Sequence, residues 1–359
     1  MKNHNYAVIM AGGVGSRFWP VSKKAHPKQF QDILGSGKTL MQTTFERLEK
    51  FVPAGNIYIL TNEIYKKIIL EQLPQIDPEQ VVAEPVMRNT APCILMAAMK
   101  IYTRDPEAKM IVAPSDHWIH NEYNFASDVN LAFKTVEKAN KLITFGIRPS
   151  LPNTGYGYIQ YNPSASENIY PVKKFTEKPD FDTASHFVAA GNYLWNSGIF
   201  VWKASQIIHS FREFLPDMYE LFDNGTPFWN TSLEPEFLSV TYPSAENISI
   251  DHGIIEKSPD VFVIPASFSW NDLGTWCALE EELPQDVDRN TVVNSRFIPL
   301  EAKGNIIRTE KDKVVFVDGL SNYIIIENEE VLVIVPKRKE QEIKEIRQNV
   351  MNRYGVHFG

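Results

Sequence analysis

The run Tyr6–Met10 is short, wholly apolar and followed at once by Ala11-Gly12-Gly13-Val14-Gly15. A stretch of that length and character predicts a buried parallel strand that opens into a sharp loop. The next segments repeat the theme. Thr39–Phe51 sets Leu40, Thr44, Leu48 and Phe51 along one helical stripe, and Ile57–Leu60 is the next short strand. A helix over 62–73 with Asn62 as its cap, a strand at 81–83, a helix at 91–103, a strand at 110–113, a helix at 126–140 and a strand at 142–145 continue the alternation. The pattern predicts an α/β fold with a Rossmann-like mixed, mostly parallel sheet and helices on both faces. Ligands of such sheets bind in the crevice beyond the carboxyl ends of the strands. Both the glycine loop after the first strand and Asp116 after the strand at 110–113 fall at that edge.

From about Pro149 the rhythm changes. Strands at 156–161 and 171–175 read as an antiparallel pair joined by a turn-rich segment at 162–166. A helix at 182–190, a strand at 198–202 and a helix at 204–214 come next. The polar stretch after Leu283 suggests a boundary near 285, giving a large domain over 1–284 and a small β-rich domain over 285–359 that closes on a charged helix. The net charge of −8 argues against a nucleic-acid binder, although it leaves room for one anionic ligand held by a local basic cluster. Cys93 and Cys277 are too few for a disulfide framework and sit at no metal-ligand spacing. With no signal-peptide pattern at the start and no apolar run of about 18 residues, the expectation is a cytoplasmic protein with no membrane partner.

The most informative stretch is AGGVGSRFWPVSKKAHPKQF at 11–30. Gly12, Gly13 and Gly15 let backbone N–H groups approach an anion, and Arg17, Lys23, Lys24 and Lys28 add positive charge within the same loop. A phosphate-cradling loop is the natural reading. Phe18 stands where the dehydrogenase fingerprint needs its third glycine, and the strand at 57–60 runs into Thr61-Asn62 where that fingerprint wants an acidic residue, so a nicotinamide-dependent oxidoreductase is disfavoured. The Walker pattern also fails, because Gly37-Lys38-Thr39 lies too far from the glycines.

This loop resembles the signature of the sugar-nucleotide pyrophosphorylases, specifically the mannose-1-phosphate guanylyltransferases, with Phe18, Val21 and Lys23 as mild departures. Further segments similar to that family occur in its order: AEPVMRNTAP (83–92), APSDHW (113–118), NTGYGYI (153–159), FTEKPD (175–180), WNSGIFVW (195–202), DHGIIEK (251–257) and WNDLGTW (270–276). The resemblance implies transfer of GMP from GTP to mannose 1-phosphate, with GDP-mannose and pyrophosphate as products and Mg²⁺ as cofactor. The residues after 285 are too few for the cupin-type isomerase domain of the long bifunctional relatives, so the single-activity form is expected.

Carried onto this sequence, the resemblance places Ala11, Gly12, Gly13, Gly15, Ser16, Arg17, Lys28, Glu84, Asn89, Thr90 and Ser115 at the nucleotide. It assigns Arg17, Lys28 and Lys178 to catalysis, Gly157, Glu177, Lys178 and Asn196 to the sugar phosphate, and Asp116 and Asp272 to the metal. His117 reads as structural, because hard Mg²⁺ prefers oxygen. Asp251, Glu256 and Lys257 read as support of the site, and the tryptophans as core and pocket wall. Glu84 has a reading of its own: a carboxylate can accept from the adjacent N1–H and N2–H donors of guanine, whereas adenine presents an acceptor at N1. A salt-bridged strand end is the plainer role for the same residue. The same chemistry on another sugar 1-phosphate or nucleotide is the nearest alternative. A non-catalytic GDP-sugar-binding protein is the alternative of another class, although such a protein would be expected to have lost Lys28 or an aspartate. Exposed Ile and Val in the β-rich tail invite a homodimer contact.

Overall fold

The computed structural model of the protein describes residues 3–163 and 168–359, so most of the turn expected at 162–166 lies outside the described residues. By packing, the chain divides into two compact units, neither of them one continuous run. The first comprises residues 1–12, 45–115 and 119–270; the second comprises 13–44, 116–118 and 271–359. The signature loop therefore packs with the C-terminal residues, a grouping that a single cut near 285 does not express.

The first unit is built on a sheet of nine strands among the described residues. In chain order they are β1 (Asn5–Met10), β2 (Ile57–Asn62), β3 (Val81–Glu84), β4 (Lys109–Pro114), then, after the two-residue β5 (Trp118–Ile119), β6 (Leu142–Ile147), β7 (Tyr158–Tyr161), β8 (Tyr170–Thr176), β9 (Tyr193–Lys203) and β10 (Val261–Pro265). The spatial order is β3-β2-β1-β4-β9-β6-β10-β8-β7. The block β3-β2-β1-β4 is parallel throughout, as the alternation predicts. β9 runs antiparallel to both β4 and β6, and β7 and β8 extend the antiparallel part. The expected mixed α/β sheet is thus present, with its parallel half formed by the first strands.

Burial explains the pattern. Ala7, Val8 and Ile9 of β1 are fully buried, and the helix Thr90–Arg104 is buried from Ala91 to Ile101. That helix packs within a core that also holds Phe211, Trp202 and Tyr242. Asn62 caps the turn at Glu63–Tyr65, its side chain accepting from Ile64 N–H, and the α-helix proper begins only at Lys66. β9 is much longer than the 198–202 run suggests. Its register against β6 shifts between Thr144 and Gly146, an irregularity that re-aims the Asn196-Ser197-Gly198 segment.

The second unit carries the two-residue β11 (Trp270–Asn271) in part, and a four-stranded sheet of β12 (Thr291–Leu300), β13 (Ile306–Asp318), β14 (Tyr323–Glu327) and β15 (Leu332–Pro336). The runs at 306–308 and 314–317 belong to the one strand β13, which pairs with β12 in two successive registers. Buried Asn290 and Asn305 bridge adjacent turns, with Asn305 Nδ2 donating to Asn290 Oδ1 at 3.1 Å. Phe18, Trp19, Ile33 and Leu40 from the loop segment share a core with Leu273, Trp276, Ile306, Ile324 and Ile326. The C-terminal residues form a 3-10 turn at Lys337–Glu342 and an α-helix at Ile343–Tyr354. No helix among the described residues is long and apolar enough to cross a membrane.

Candidate active site

Lys28 organises the second unit. Its side chain is only 4% exposed, and its ammonium meets three acceptors: Asp116 Oδ2 at 2.9 Å, Leu273 O at 2.9 Å and Asp272 O at 3.1 Å. An ammonium has three protons, so all are spent on the protein. Gly15 makes this placement possible. It adopts φ 62°, and a Cβ there would fall 2.6 Å from Lys28 Cβ and 3.1 Å from Ser22 Oγ. The loop is closed by Ser22 Oγ donating to Val14 O at 2.6 Å and by Gln29 Nε2 donating to Gly13 O at 2.9 Å. Gly15→Ala should therefore displace Lys28 and cost about 2 kcal/mol or more from overlap and left-handed backbone strain together. Thermal unfolding checks it, and a midpoint equal to that of the unsubstituted protein would contradict it.

The turn after β11 is strained in a directed way. Leu273 is fully buried at φ 47°, a region in which a branched residue costs roughly 1–2 kcal/mol. Its N–H is taken by Asn271 Oδ1 at 2.8 Å and its carbonyl by Lys28, which together hold the turn. Asp272 then folds back so that Oδ1 accepts from Gly274 N–H at 2.9 Å. A Cβ on Gly274 would lie 2.7 Å from the other carboxylate oxygen.

Asp116, His117, Asp272, Lys28 and Arg17 line one cleft of about 230 Å³ in this unit. Burial works to raise the Asp116 carboxyl, but the Lys28 ammonium, aided by His117, holds it below the usual range, so it is an anion at neutral pH. Arg17 is exposed and has no hydrogen-bond or ion-pair partner among the described residues, which leaves its planar fork free for a phosphate. Among the described residues no three of His, Cys, Asp and Glu gather into a metal cage. Two carboxylates in one cleft nevertheless suit Mg²⁺, a hard ion that usually takes one or two carboxylates and completes its shell with phosphate oxygens and water.

In the first unit, Glu84 closes β3 and is buried. Its Oε2 accepts from the Tyr242 hydroxyl, while Oε1 faces Gly12, where a Cβ would stand 4.0 Å away. Burial pushes the Glu84 carboxyl up to about 7, against the Tyr242 bond that favours the ionised form. No lysine or arginine pairs with it among the described residues, so the salt-bridged strand end is not what the structure shows. Asn89 and Thr90 are occupied structurally. Asn89 Oδ1 accepts from Thr90 N–H, and Thr90 Oγ1 accepts from Ile250 N–H at 2.9 Å. Ser115 is buried, with its N–H on Met10 O at 3.0 Å. Ala11 is buried and Ser16 half-buried.

The residues expected at the sugar phosphate all lie in the first unit. A Cβ on Gly157 would lie 2.5 Å from Glu177 Oε2 and 3.0 Å from Phe175 Cζ, so the space this glycine leaves goes to the Glu177 carboxylate. Glu177 is ion-paired to Lys178, which is exposed at φ 44°. Asn196 Nδ2 donates to Asp251 Oδ1 at 2.9 Å, and Asn196 Oδ1 accepts from Thr144 Oγ1 at 2.9 Å. Asp251 opens a π-helical turn (Asp251–Ile255), and burial, with the nearby Glu177 charge, pushes its carboxyl up to about 6. Trp195 packs edge-on to Tyr156, as does Trp270.

A sequence model of the nucleotidyl transferases matches residues 6–289, which is most of the chain. The chain belongs to the nucleotidyl transferase family. It is 34% identical over 364 residues to the mannose-1-phosphate guanylyltransferase of Salmonella muenchen, an alignment covering 98% of this chain and 75% of that protein. The protein of the same name from Escherichia coli K12 is 33% identical over 358 residues, covering 96% of this chain and 73% of the relative. Among solved structures, a Thermus thermophilus protein described as mannose-1-phosphate geranyltransferase superposes with a TM-score of 0.86 at 29% identity, over 97% of this chain and 99% of that one. A Helicobacter pylori protein described as mannose-6-phosphate isomerase shares the fold, with a TM-score of 0.60 over 74% of this chain.

One residue that touches a candidate site residue escaped sequence reasoning. Tyr242 lies in no recognised segment, and its bond to Glu84 spans 158 positions. Asp251 belongs to the DHGIIEK segment that the sequence reading already assigned to support of the site, and its bond to Asn196 spans 55 positions.

Proposed function

We propose that this nucleotidyl transferase moves GMP from GTP to α-D-mannose 1-phosphate, releasing GDP-mannose and pyrophosphate. An oxygen of the sugar phosphate attacks the α-phosphorus in line, and the bond from that phosphorus to the β,γ-pyrophosphate breaks. The observation that carries the reading is the cleft in which free Arg17 stands with Lys28, Asp116 and Asp272. Such a transfer needs positioning and charge neutralisation more than covalent chemistry.

Arg17 takes phosphate oxygens through its fork, and the N–H groups of Gly13, Gly15 and Ser16 face the same phosphates. Lys28, saturated by the protein, acts as a fixed positive charge that also sets Asp116 in place. Asp116 and Asp272 would hold Mg²⁺, which supplies Lewis-acid neutralisation of the phosphate oxygens when bound. The resemblance assigns Ala11, Gly12, Ser115, Asn89 and Thr90 to the nucleotide as well; within the first unit Ser115 follows β4 and Asn89 caps the helix that begins at Thr90. Glu84 accepts from guanine N1–H and N2–H through the carboxylate that Tyr242 orients. On the acceptor substrate, Lys178 exchanges Glu177 for the sugar phosphate, and Glu177 and Asn196 then face the hexose hydroxyls, with Gly157 giving Glu177 its room.

A pyrophosphate-release assay over a matrix of nucleoside triphosphates and sugar 1-phosphates with Mg²⁺ tests this. GTP with mannose 1-phosphate should exceed every other pair, whereas a maximum with another base or sugar would overturn the specificity. We also propose a homodimer formed through the β12–β13 ribbon, where exposed Ile298 stands opposite exposed Phe316 and beside exposed Leu300 and Val314. Light scattering should give twice the chain mass, falling to the monomer in Phe316→Lys; a monomeric unsubstituted protein would refute it.

A further inference from the structure

A separate cavity of about 410 Å³ lies in the second unit, sharing no lining residue with the Lys28–Asp116 cleft. One wall is the loop at Lys23 and His26; the other is β13 at Arg308 and Lys311, with Glu327 at the end of β14. Arg308 is only 9% exposed, yet no carboxylate lies within ion-pair distance among the described residues. Its Nη2 donates to Asp32 O at 3.2 Å, and its Nε finds no acceptor. The Asp32 carboxylate is committed elsewhere, accepting from Ser36 N–H at 2.9 Å and Gly37 N–H at 2.8 Å. A guanidinium buried without a counter-charge is costly, and burial pushes its pKa down to about 10 despite Asp32 nearby.

The opposite sign is unmet as well. Glu327 Oε1 accepts from Lys313 at 2.6 Å, while Glu327 Oε2 is buried with no donor. Lys311 is exposed and unpaired among the described residues. The cavity is therefore lined by Arg308 and Glu327, each of which keeps one buried side-chain atom without a partner, and by Lys311, an exposed lysine with no ion-pair partner among the described residues. Glu310 and Glu329 also line it, so a bare polyanion is disfavoured. The complement is a small molecule that carries both an anionic group and hydroxyl donors.

We propose that this cavity is a second ligand site, taking a phosphorylated sugar or polyol whose phosphate is held by Arg308 and Lys311 and whose hydroxyl donates to the Glu327 carboxylate. The site goes beyond the transfer reaction and uses none of its residues. Calorimetric titration of the full chain with glucose 6-phosphate, while GDP-mannose saturates the reaction site, tests it. One saturable site is expected, with inorganic phosphate competing more weakly because it offers no sugar hydroxyl. Arg308→Met should weaken binding by roughly 10-fold or more, and Lys311→Ala by several-fold, with pyrophosphate release unchanged in Lys311→Ala. Absence of saturable heat in the unsubstituted protein would overturn the proposal. So would equal binding by Lys311→Ala, a rim variant that decides the matter even if Arg308→Met fails to fold.

Discussion

Asp116→Asn is expected to lower turnover by about 10³-fold or more while leaving a folded chain. The asparagine is isosteric and can still accept from Lys28, so the side-chain packing survives. The charge does not. One of the two carboxylates proposed to hold Mg²⁺ is gone, and the Lys28 ammonium, 4% exposed, loses the carboxylate it is paired with. Loss of electrostatic stabilisation at a transferring phosphoryl group is of the size that removes about 10²–10³ in rate for a single donor, and more for a metal ligand. The stability cost is smaller, about 2 kcal/mol, because the Asp116 side chain is one-third exposed and its pairing is partly screened. Pyrophosphate release alongside a cooperative thermal melt separates the two effects. Near-normal turnover would remove Asp116 from the chemistry.

The second large effect concerns Glu84→Gln. A hydrogen bond to a charged group contributes about 1.5–3 kcal/mol, so the kcat/KM preference for GTP over ATP should fall roughly 10- to 100-fold. The pH behaviour gives a second signature. With the folded carboxyl pushed up to about 7, against an ordinary 4.5, the native state holds the proton more tightly than the unfolded chain does. That contribution to stability is fully present below about pH 4.5 and is lost as pH rises through 7. Relative to the glutamine variant, the unsubstituted protein should therefore lose stability across this window, on the order of 3 kcal/mol once Glu84 is ionised. Guanine donors favour the carboxylate, so KM for GTP should fall as pH rises from about 6 to 8, and this slope should vanish in Glu84→Gln. An unchanged nucleotide profile and a parallel pH dependence would clear Glu84 of base recognition.

Much of the first half of the fold was legible because each strand of the parallel block is short, apolar and followed by a helix with its own stripe. β1 to β4 fall within two residues of where apolar runs predict them. Only the 198–202 half of β9 was legible, because the polar centre at Asn196 and Ser197 interrupts the apolar pattern, whereas the strand extends from Tyr193 to Lys203. The cleft was partly legible. The loop charges and Asp116 follow strands, which places them at the ligand edge, but nothing local says that Lys28 is buried and saturated. That outcome depends on Leu273 and Asp272, some 245 positions away. The packing of Phe18 and Trp19 with C-terminal isoleucines was likewise hidden, because hydrophobic patterning shows that a face is buried and not against what. The tuning of Glu84 needs Tyr242, and no periodicity links the two.

In the proposed reaction the bond broken lies between the α-phosphorus of GTP and its pyrophosphate, and mannose 1-phosphate receives the GMP. Following the fate of labelled GTP tests this most directly. With GTP labelled at the α-phosphorus, the label should appear in GDP-mannose in step with pyrophosphate release and only when mannose 1-phosphate is present; with the γ-phosphorus labelled, it should appear in pyrophosphate alone. Recovery of the α-label in GDP or GMP without a sugar nucleotide, or of the γ-label as inorganic phosphate, would contradict that reaction.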